Sequence, residues 1–266
     1  MKNKKYKIVY TISNNEKMLE ELKYSILSAR RWLNKEDIVV IFTPPYDNNS
    51  IKDIERIATV FIKDNNIASS FSIHPLSPNP IIKPYGDKIY IKDINCPNIL
   101  FLDCDTIIYN NPDRLFEGDF DFGGIATDTI QEQWQYKSNS LQKLKRVYKL
   151  YNTDCHLWDG GTLIFKNFSH QKIASDWLDI YENERNLMDY SLRPNRKTYD
   201  QTSLTIAIYK HKLKTKIFDD SYIKKVRGNW SEDDIDDNII LLHGNYIWNV
   251  LGIREELDGL WEDLTQ

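Results

Sequence analysis

The chain has 266 residues, of which 41% are hydrophobic and 28% charged, as in an ordinary soluble globular protein. Its formal net charge of −4 at pH 7 supplies no basic field of the kind that binds nucleic acid. The three cysteines form no CxxC pair and leave one thiol over in any pairing, which argues against a secreted disulfide framework. No apolar stretch approaches the roughly 18 residues of a membrane span. We therefore expect a soluble, cytoplasmic protein without a transmembrane segment.

The first half of the chain alternates between strand and helix patterns. Near-continuous apolar runs indicate strands that are buried on both faces, and apolar residues at helical spacing indicate amphipathic helices. We predict strands at 7–11, 37–42, near 71–73 and at 99–103, with helices over 19–33, 51–61 and 89–94. This alternation is typical of an α/β fold with a mostly parallel central sheet flanked by helices.

The second half is less regular, but it contains no linker, repeat or low-complexity segment. We predict strands at 122–126, 158–165, 216–218 and 239–242, and helices at 138–151, 169–189 and 199–210. The chain is therefore interpreted as a single domain over 1–266.

Two carboxylates follow the apolar run 98–102 directly, in the sequence Asp103-Cys104-Asp105. In an extended chain the side chains of Asp103 and Asp105 point the same way, because side chains alternate with period two. Like charges this close repel each other unless a cation lies between them. Ligands also bind at the carboxyl ends of strands in α/β sheets. The pattern predicts a divalent-metal site for a phosphate-bearing substrate, with an Asp-rich turn as the purely structural alternative.

Four segments in order resemble motifs of the GT-A nucleotide-sugar glycosyltransferases, most closely glycosyltransferase family 8, the glycogenin-like and galactosyltransferase-like group. The family's YLDADT and FNAGVLVFN motifs resemble FLDCDT at 101–106 and WDGGTLIFKN at 158–167. Its DQD segment resembles DQT at 200–202, and its C-terminal His-centred motif resembles HGNYIW at 243–248. The resemblance extends over residues 6–250.

The resemblance implies a GT-A, Rossmann-like fold in which about 1–128 form a nucleotide-binding half and about 129–266 an acceptor-side half. It implies metal-dependent transfer of a hexose from a nucleotide-diphospho-sugar, expected to be a UDP-sugar, to a glycan, lipid or protein acceptor. The anomeric configuration is expected to be retained. A divalent cation suits this reaction because negative charge builds up on the leaving diphosphate.

The resemblance also assigns the metal ligands, which are Asp103, Asp105 and His243. Two carboxylates and one imidazole favour Mn²⁺ slightly over Mg²⁺. A buried structural histidine is the alternative for His243.

The donor is expected to contact residues from five parts of the chain, including both aspartates of the metal motif. Besides those aspartates, the contacts assigned by the resemblance are Thr11, Asn14, Lys88, Cys104, Asp159, Gly160, Gly161 and Gly244. Sugar hydroxyls and the anomeric carbon are expected near Asp128, Asp200 and Gln201. The structural alternatives are an exposed helix face for Lys88, a β-bulge for the glycine pair and a helix N-cap for Asp200.

Two positions depart from the family pattern. Asp159 stands where the family has Asn, and the C-terminal motif at 247–248 lacks the family's diphosphate-binding Lys. Either Lys224, Lys225 or Arg227 supplies that charge instead, or assistance to the leaving group is weaker.

Two other functions also use such residues. In a haloacid-dehalogenase-like phosphatase, Asp103 would be the nucleophile and Asp105 the general acid. That motif normally lies near the start of a chain, whereas Asp103 follows several strand–helix units. A non-catalytic nucleotide-sugar-binding protein would bind UDP and metal without turnover.

Overall fold

The structure is a computed structural model that describes residues 5–13, 16–65, 70–72, 81–83, 85–126, 145–150, 156–187, 199–226, 235–245 and 247–265. Its strands are β1 (Lys7–Ser13), β2 (Ile38–Thr43), β3 (Thr59–Ile62), β4 (Ser70–Ser72), β5 (Ile81–Lys83), β6 (Ile99–Leu102), β7 (Thr106–Ile108), β8 (Phe122–Ala126), β9 (Trp158–Phe165), β10 (Thr215–Ile217), β11 (Ile223–Lys225) and β12 (Leu241–His243). Its α-helices are α1 (Glu16–Arg30), α2 (Asn48–Ile57), α3 (Ser169–Leu187), α4 (Tyr199–Lys210), α5 (Ile247–Val250) and α6 (Arg254–Thr265), and a 3-10 helix spans Tyr85–Asp93.

The centre of the molecule is a seven-stranded sheet in the order β10-β8-β9-β6-β1-β2-β3. β9 runs antiparallel to both of its neighbours, β6 and β8, and the other pairs in this sheet are parallel. The mostly parallel α/β architecture expected from the sequence is confirmed.

The sheet is covered on both faces, which explains why its central strands are apolar along their whole length. Ile8 and Tyr10 of β1 pack on one face, together with α1, α2 and α6. Val9, between them, packs on the other face, with the 3-10 helix, α3 and α4. Strand β1 is therefore completely buried over these residues, and the carboxyl ends of β1 and β6 lie side by side.

A smaller sheet, in the order β11-β12-β7, lies beyond the carboxyl end of β6. β12 is antiparallel to β7, with His243 opposite Thr106, and parallel to β11, with Lys225 opposite His243. Residues far apart in the sequence are thus brought next to the Asp103–Asp105 segment.

Most predicted elements are present, with some boundaries corrected. The second helix ends at Ile57 rather than 61, and Phe61 lies instead in edge strand β3, where it is 47% exposed. The strand predicted at 99–103 ends at Leu102. The helix predicted at 89–94 is the longer 3-10 helix. Residues 138–144 of the predicted basic helix lie outside the described residues.

Several elements were not predicted: β3, β5, β7, β11, α5 and α6. α6 packs on α1, where the Tyr24 hydroxyl donates to Asp258 Oδ1 at 2.9 Å. In the part of the chain that the structure describes, no helix combines the length and apolarity needed to cross a bilayer. The division into a nucleotide-binding half and an acceptor-side half stays a prediction.

Candidate metal and donor site

Asp103 and Asp105 lie in the short connection between β6 and β7. The backbone N–H of Asp103 donates to the carbonyl of Gly161 at 2.8 Å, and that of Gly244 donates to the carbonyl of Asp105 at 2.8 Å. These two bonds tie the connection to β9 on one side and to the end of β12 on the other. Residues 104 and 105 form a turn. The prediction that Asp103 and Asp105 lie on one side of an extended strand was therefore wrong.

The two carboxylates nevertheless converge, and His243 joins them. One ligand atom from each of Asp103, Asp105 and His243 lies within 4.8 Å of the others. His243 Nε2 and Asp105 Oδ1 are 3.1 Å apart. All three side chains are partly exposed, so the cluster faces an accessible surface rather than the core.

Lys88 supports the cluster from the 3-10 helix. Its ammonium group is 3.0 Å from Asp103 Oδ1 and donates to the carbonyl of Gly160 at 2.8 Å. The residue is only 7% exposed. The interpretation of Lys88 as part of an exposed helix face is therefore wrong, and the lysine partly balances the charge of the first aspartate.

Gly161 is required by close approach of its neighbours. A Cβ on this residue would lie 2.3 Å from His243 Cε1 and 2.9 Å from Asp103 Oδ2, both inside van der Waals contact. The sequence explanation was that glycine here lets the donor approach. The structure shows a more direct reason, because the side chains of two predicted metal ligands occupy this space.

Asp159, which stands where the family has Asn, forms an ion pair with Lys225 of β11. Its other oxygen accepts a hydrogen bond from the Gly161 N–H at 2.8 Å. Burial acts to raise the pKa of Asp159, but the charges of Lys225 and His243 and these hydrogen bonds outweigh it and lower the pKa to about 2. Asp159 is therefore ionised at neutral pH.

The two aspartates of the cluster respond differently to their surroundings. Burial raises the pKa of Asp103, and the nearby charges of Lys88 and His243 offset only part of this effect. Burial also acts to raise the pKa of Asp105, but the hydrogen bond and the charge of His243 outweigh it, so this pKa is lowered. Burial disfavours protonated His243, but Asp105, Asp159 and Asp103 outweigh it and raise the pKa of His243.

Other predicted donor residues lie near this cluster to different extents. Continuing the β1–β6 register by two residues places Thr11 beside Asp103. Gly244 follows β12, where a Cβ would come within 2.6 Å of the Val226 carbonyl. The Cys104 side chain is buried in the hydrophobic core, with Sγ 3.9 Å from the Thr11 carbonyl, so it faces away from the carboxylates.

The predicted residues for the sugar are described only in part. Gln201 lies in the first turn of α4, whose Thr205 hydroxyl accepts from the N–H of Trp158, the residue before Asp159. Asp200 lies within the helix, not before it, so its backbone position does not fit the N-cap alternative. Asn14 and Asp128 lie outside the described residues.

One contact of the cluster was missed at the sequence level. Asn245 Nδ2 donates to Asp105 Oδ2 at 3.3 Å, and its Oδ1 accepts from Lys17 Nζ at 2.5 Å. Asn245 is part of the segment that follows β12, so its place in the His-centred motif was the available signal. Lys17 could not be found in this way because it lies on α1, 228 residues away.

Comparison with known proteins identifies the fold. No protein-family model matches the chain, and no curated protein matches its sequence. The galactosyltransferase LgtC, solved with donor and acceptor sugar analogs, matches with a TM-score of 0.62 over 98% of this chain and 96% of its own, at 12% identity. The chain has the GT-A glycosyltransferase fold.

Two further structures agree. Mouse xyloside xylosyltransferase 1 matches with a TM-score of 0.50 over 92% of this chain and 98% of its own, at 13% identity. The glycosyltransferase GlyE of Streptococcus pneumoniae TIGR4 matches with a TM-score of 0.54 over 99% of this chain and 62% of its own, at 14% identity. The GT-A fold expected from the motifs is therefore confirmed.

The cluster has the chemistry of a divalent-metal site. Carboxylate oxygens suit Mg²⁺ and Mn²⁺, and an added imidazole suits a transition metal such as Mn²⁺. Gly161 lets His243 and Asp103 approach its backbone closely, because even one methyl group there would collide with both side chains. The residues present therefore fit a metal held by Asp103, Asp105 and His243.

We predict that Gly161→Ala weakens Mn²⁺ binding and lowers the free energy of unfolding by about 1–3 kcal/mol, because the new methyl group must displace His243 and Asp103. Isothermal titration with Mn²⁺ and thermal unfolding measure the two effects. Gly259→Ala is the matched control: nothing lies within 4 Å of its Cβ, so it should leave Mn²⁺ binding unchanged. Since Gly259 lies in α6, this change should stabilise the protein by up to about 1 kcal/mol. Wild-type Mn²⁺ affinity in Gly161→Ala would contradict the site.

We predict that Asp103→Asn and Asp105→Asn both abolish turnover but move the melting temperature of the metal-free protein in opposite directions. A raised folded-state pKa means that stability is lost as pH rises through it, so ionised Asp103 costs stability at pH 7.5. A lowered pKa means that stability is present above the unfolded value, so ionised Asp105 contributes stability.

Thermal unfolding at pH 7.5 with a chelator should therefore place the melting temperature of Asp103→Asn above that of the wild type and the melting temperature of Asp105→Asn below it. Shifts of the same sign would contradict this electrostatic description. Near-normal activity in either variant would show that the metal site is wrongly placed.

Proposed function

We propose that this protein is a metal-dependent glycosyltransferase. Its donor would be a nucleotide-diphospho-sugar, with a UDP-sugar as the expected form, and its acceptor a glycan, lipid or protein. The observation that carries the proposal is the convergence of Asp103, Asp105 and His243 at the carboxyl end of β6 in a GT-A fold. In an α/β sheet this edge is where nucleotide ligands bind.

Asp103, Asp105 and His243 would hold Mn²⁺ or Mg²⁺. When bound, the cation would neutralise negative charge on the diphosphate as the sugar–phosphate bond breaks. Lys88 would help to hold the first aspartate in place through its contact with Asp103 Oδ1. The backbone hydrogen bonds from Asp103 to Gly161 and from Gly244 to Asp105 hold the backbone on which both carboxylates stand.

The sugar is expected at the start of β9 and the first turn of α4, where Asp159 and Gln201 lie. A solved structure of LgtC is of an active-site mutant in which a glutamine is replaced by glutamate, so a glutamine belongs to the active site of that protein. This supports a role for Gln201 near the reacting carbon. Asp200 and Asp128 are proposed to bind sugar hydroxyls because of their positions in the segments that resemble the family.

Retention of configuration follows from a neutral amide at this position. Inversion requires a base that takes the acceptor proton on the face opposite the leaving group. An amide cannot act as a base, so the acceptor oxygen would bond to the anomeric carbon on the face that the diphosphate leaves. Its proton would pass to the departing phosphate oxygen. Asp200, beside Gln201, is the carboxylate that would act as a base or nucleophile if the reaction took a different stereochemical course.

The phosphatase alternative receives less support. A nucleophilic aspartate must be ionised and free to attack. Asp103 instead has one of its oxygens, Oδ1, 3.0 Å from the Lys88 ammonium group. A non-catalytic binding protein shares the same geometry and differs only in turnover.

We predict that UDP binds at least tenfold more tightly in the presence of Mn²⁺ than in a chelator, because a cation held by Asp103, Asp105 and His243 would offset the negative charge of the diphosphate. Isothermal titration with and without Mn²⁺ measures this ratio. His243→Ala should reduce the ratio while the fold is kept, and loss of the fold would favour a structural histidine. Equal affinity in both conditions would contradict a metal-dependent donor site.

Slow hydrolysis in a panel of UDP-, GDP- and CMP-sugars then identifies the donor and separates an enzyme from a binding protein.

We predict a product with the anomeric configuration of the donor. Proton NMR of the product from a matched donor and acceptor shows the configuration through the coupling constant of the anomeric proton. Gln201→Ala should slow turnover without affecting UDP affinity. A product of inverted configuration would refute the family 8 assignment and leave the GT-A fold standing.

A further inference from the structure

Lys225 lies beside the metal cluster, although it belongs to a strand that the sequence did not predict. In the parallel β11–β12 pair it is the register partner of His243. Neighbouring strands are about 4.8 Å apart, and paired residues project from the same face. Its ammonium group reaches Asp159 across the site. Asp159 and Gly161 project from the same face of β9, and that face meets Asp103 and His243.

The other two basic residues of this segment differ in position. Lys224 precedes Lys225 on the same strand, and alternation directs its side chain to the opposite face. Arg227 lies outside the described residues. Among the described residues, Lys225 is therefore the member of the group that the fold places next to the ligands.

The charge of Lys225 decides whether the metal-loaded site has a net positive charge that attracts an anion. Three carboxylates, those of Asp103, Asp105 and Asp159, face two ammonium groups, those of Lys88 and Lys225. With neutral His243 the site carries one net negative charge, and a divalent cation makes it one net positive charge. Without Lys225, the loaded site would be neutral and would attract a diphosphate less strongly.

Lys225 also differs from Lys88 in its access to solvent. Its side chain is 20% exposed, compared with 8% for Lys88, whose ammonium group is held by Asp103 and the Gly160 carbonyl. Lys225 has a flexible side chain that pairs with the Asp159 carboxylate, so it can turn from Asp159 to another anion.

We propose that Lys225 binds the diphosphate of the nucleotide donor, exchanging Asp159 for a phosphate oxygen when the donor binds. This rests on the proposed function and deepens it, because it names the residue that serves where the C-terminal segment 247–248 has no lysine. Asp159 pairs with Lys225 until the donor binds and then contacts the sugar side of the donor.

A simpler role has to be separated from this one. Lys225 could act only by neutralising Asp159, so that the pair replaces a neutral asparagine. In that case removal of Lys225 would harm binding through the bare carboxylate, and Asp159→Asn would repair the damage. Direct phosphate contact predicts no such repair.

The experiment is isothermal titration of UDP in saturating Mn²⁺ with four variants. Lys225→Gln should bind UDP roughly 10- to 100-fold more weakly, which is the usual effect of losing a hydrogen bond to a charged group. Asp159→Asn/Lys225→Gln should be equally weak, and its neutral pair keeps the variant folded. Lys225→Arg should recover most of the affinity. Lys214→Gln, which breaks an exposed ion pair with Asp119 beside edge strand β10, is the matched control and should bind like the wild type.

Titration with Mn²⁺ alone provides a second readout. Lys225→Gln should bind Mn²⁺ as tightly as the wild type or more tightly, since a positive charge has been removed. Wild-type UDP affinity in Lys225→Gln, or recovery in the double variant, would overturn the inference and leave the proposed function intact. Failure of the wild type to bind UDP with Mn²⁺ would overturn both.

Discussion

The repulsion between the carboxylates of Asp103 and Asp105 is the constraint on which the site depends. They share one short connection after a buried strand, so positive charge must reach them from elsewhere in the chain. Lys88 reaches the first from the 3-10 helix, and His243 reaches the second from β12. Both depend on the same long-range packing: β9 supplies the Gly160 carbonyl for Lys88 and the gap at Gly161 for His243. The fold itself thus brings the residues of the site together.

Much of the fold could be predicted because its strands are long or completely buried. The strand at 158–165 and the strand at 122–126 have the predicted bounds, and the first is buried along its whole length and the second along all but its last residue. Edge strand β3 was missed because Phe61 and Ile62 continue the apolar spacing of the helix before it. β7 and β11 have three residues each, too few to show a period, and exist only as partners of β12.

The sequence allowed us to predict which residues form the site and their order along the chain. It did not allow us to predict all of their contacts. Motif order selected Asp103, Asp105 and His243, which the structure brings together. It gave no basis for choosing Lys225, because the ion pair joins residues 66 positions apart through a strand pairing that local sequence does not encode. Only the structure connects the departure from the family pattern at Asp159 with the position of Lys225. The two side chains form an ion pair.

The most direct test of this account is to locate the metal itself. Crystals grown with MnCl₂ and UDP should give a single strong anomalous peak at a wavelength near the manganese edge, about 2.0–2.3 Å from one oxygen of Asp103, one oxygen of Asp105 and His243 Nε2. The account predicts that this peak also touches the diphosphate. A fully occupied manganese that lacks either aspartate as a ligand, or UDP bound at full occupancy away from these residues, would contradict it.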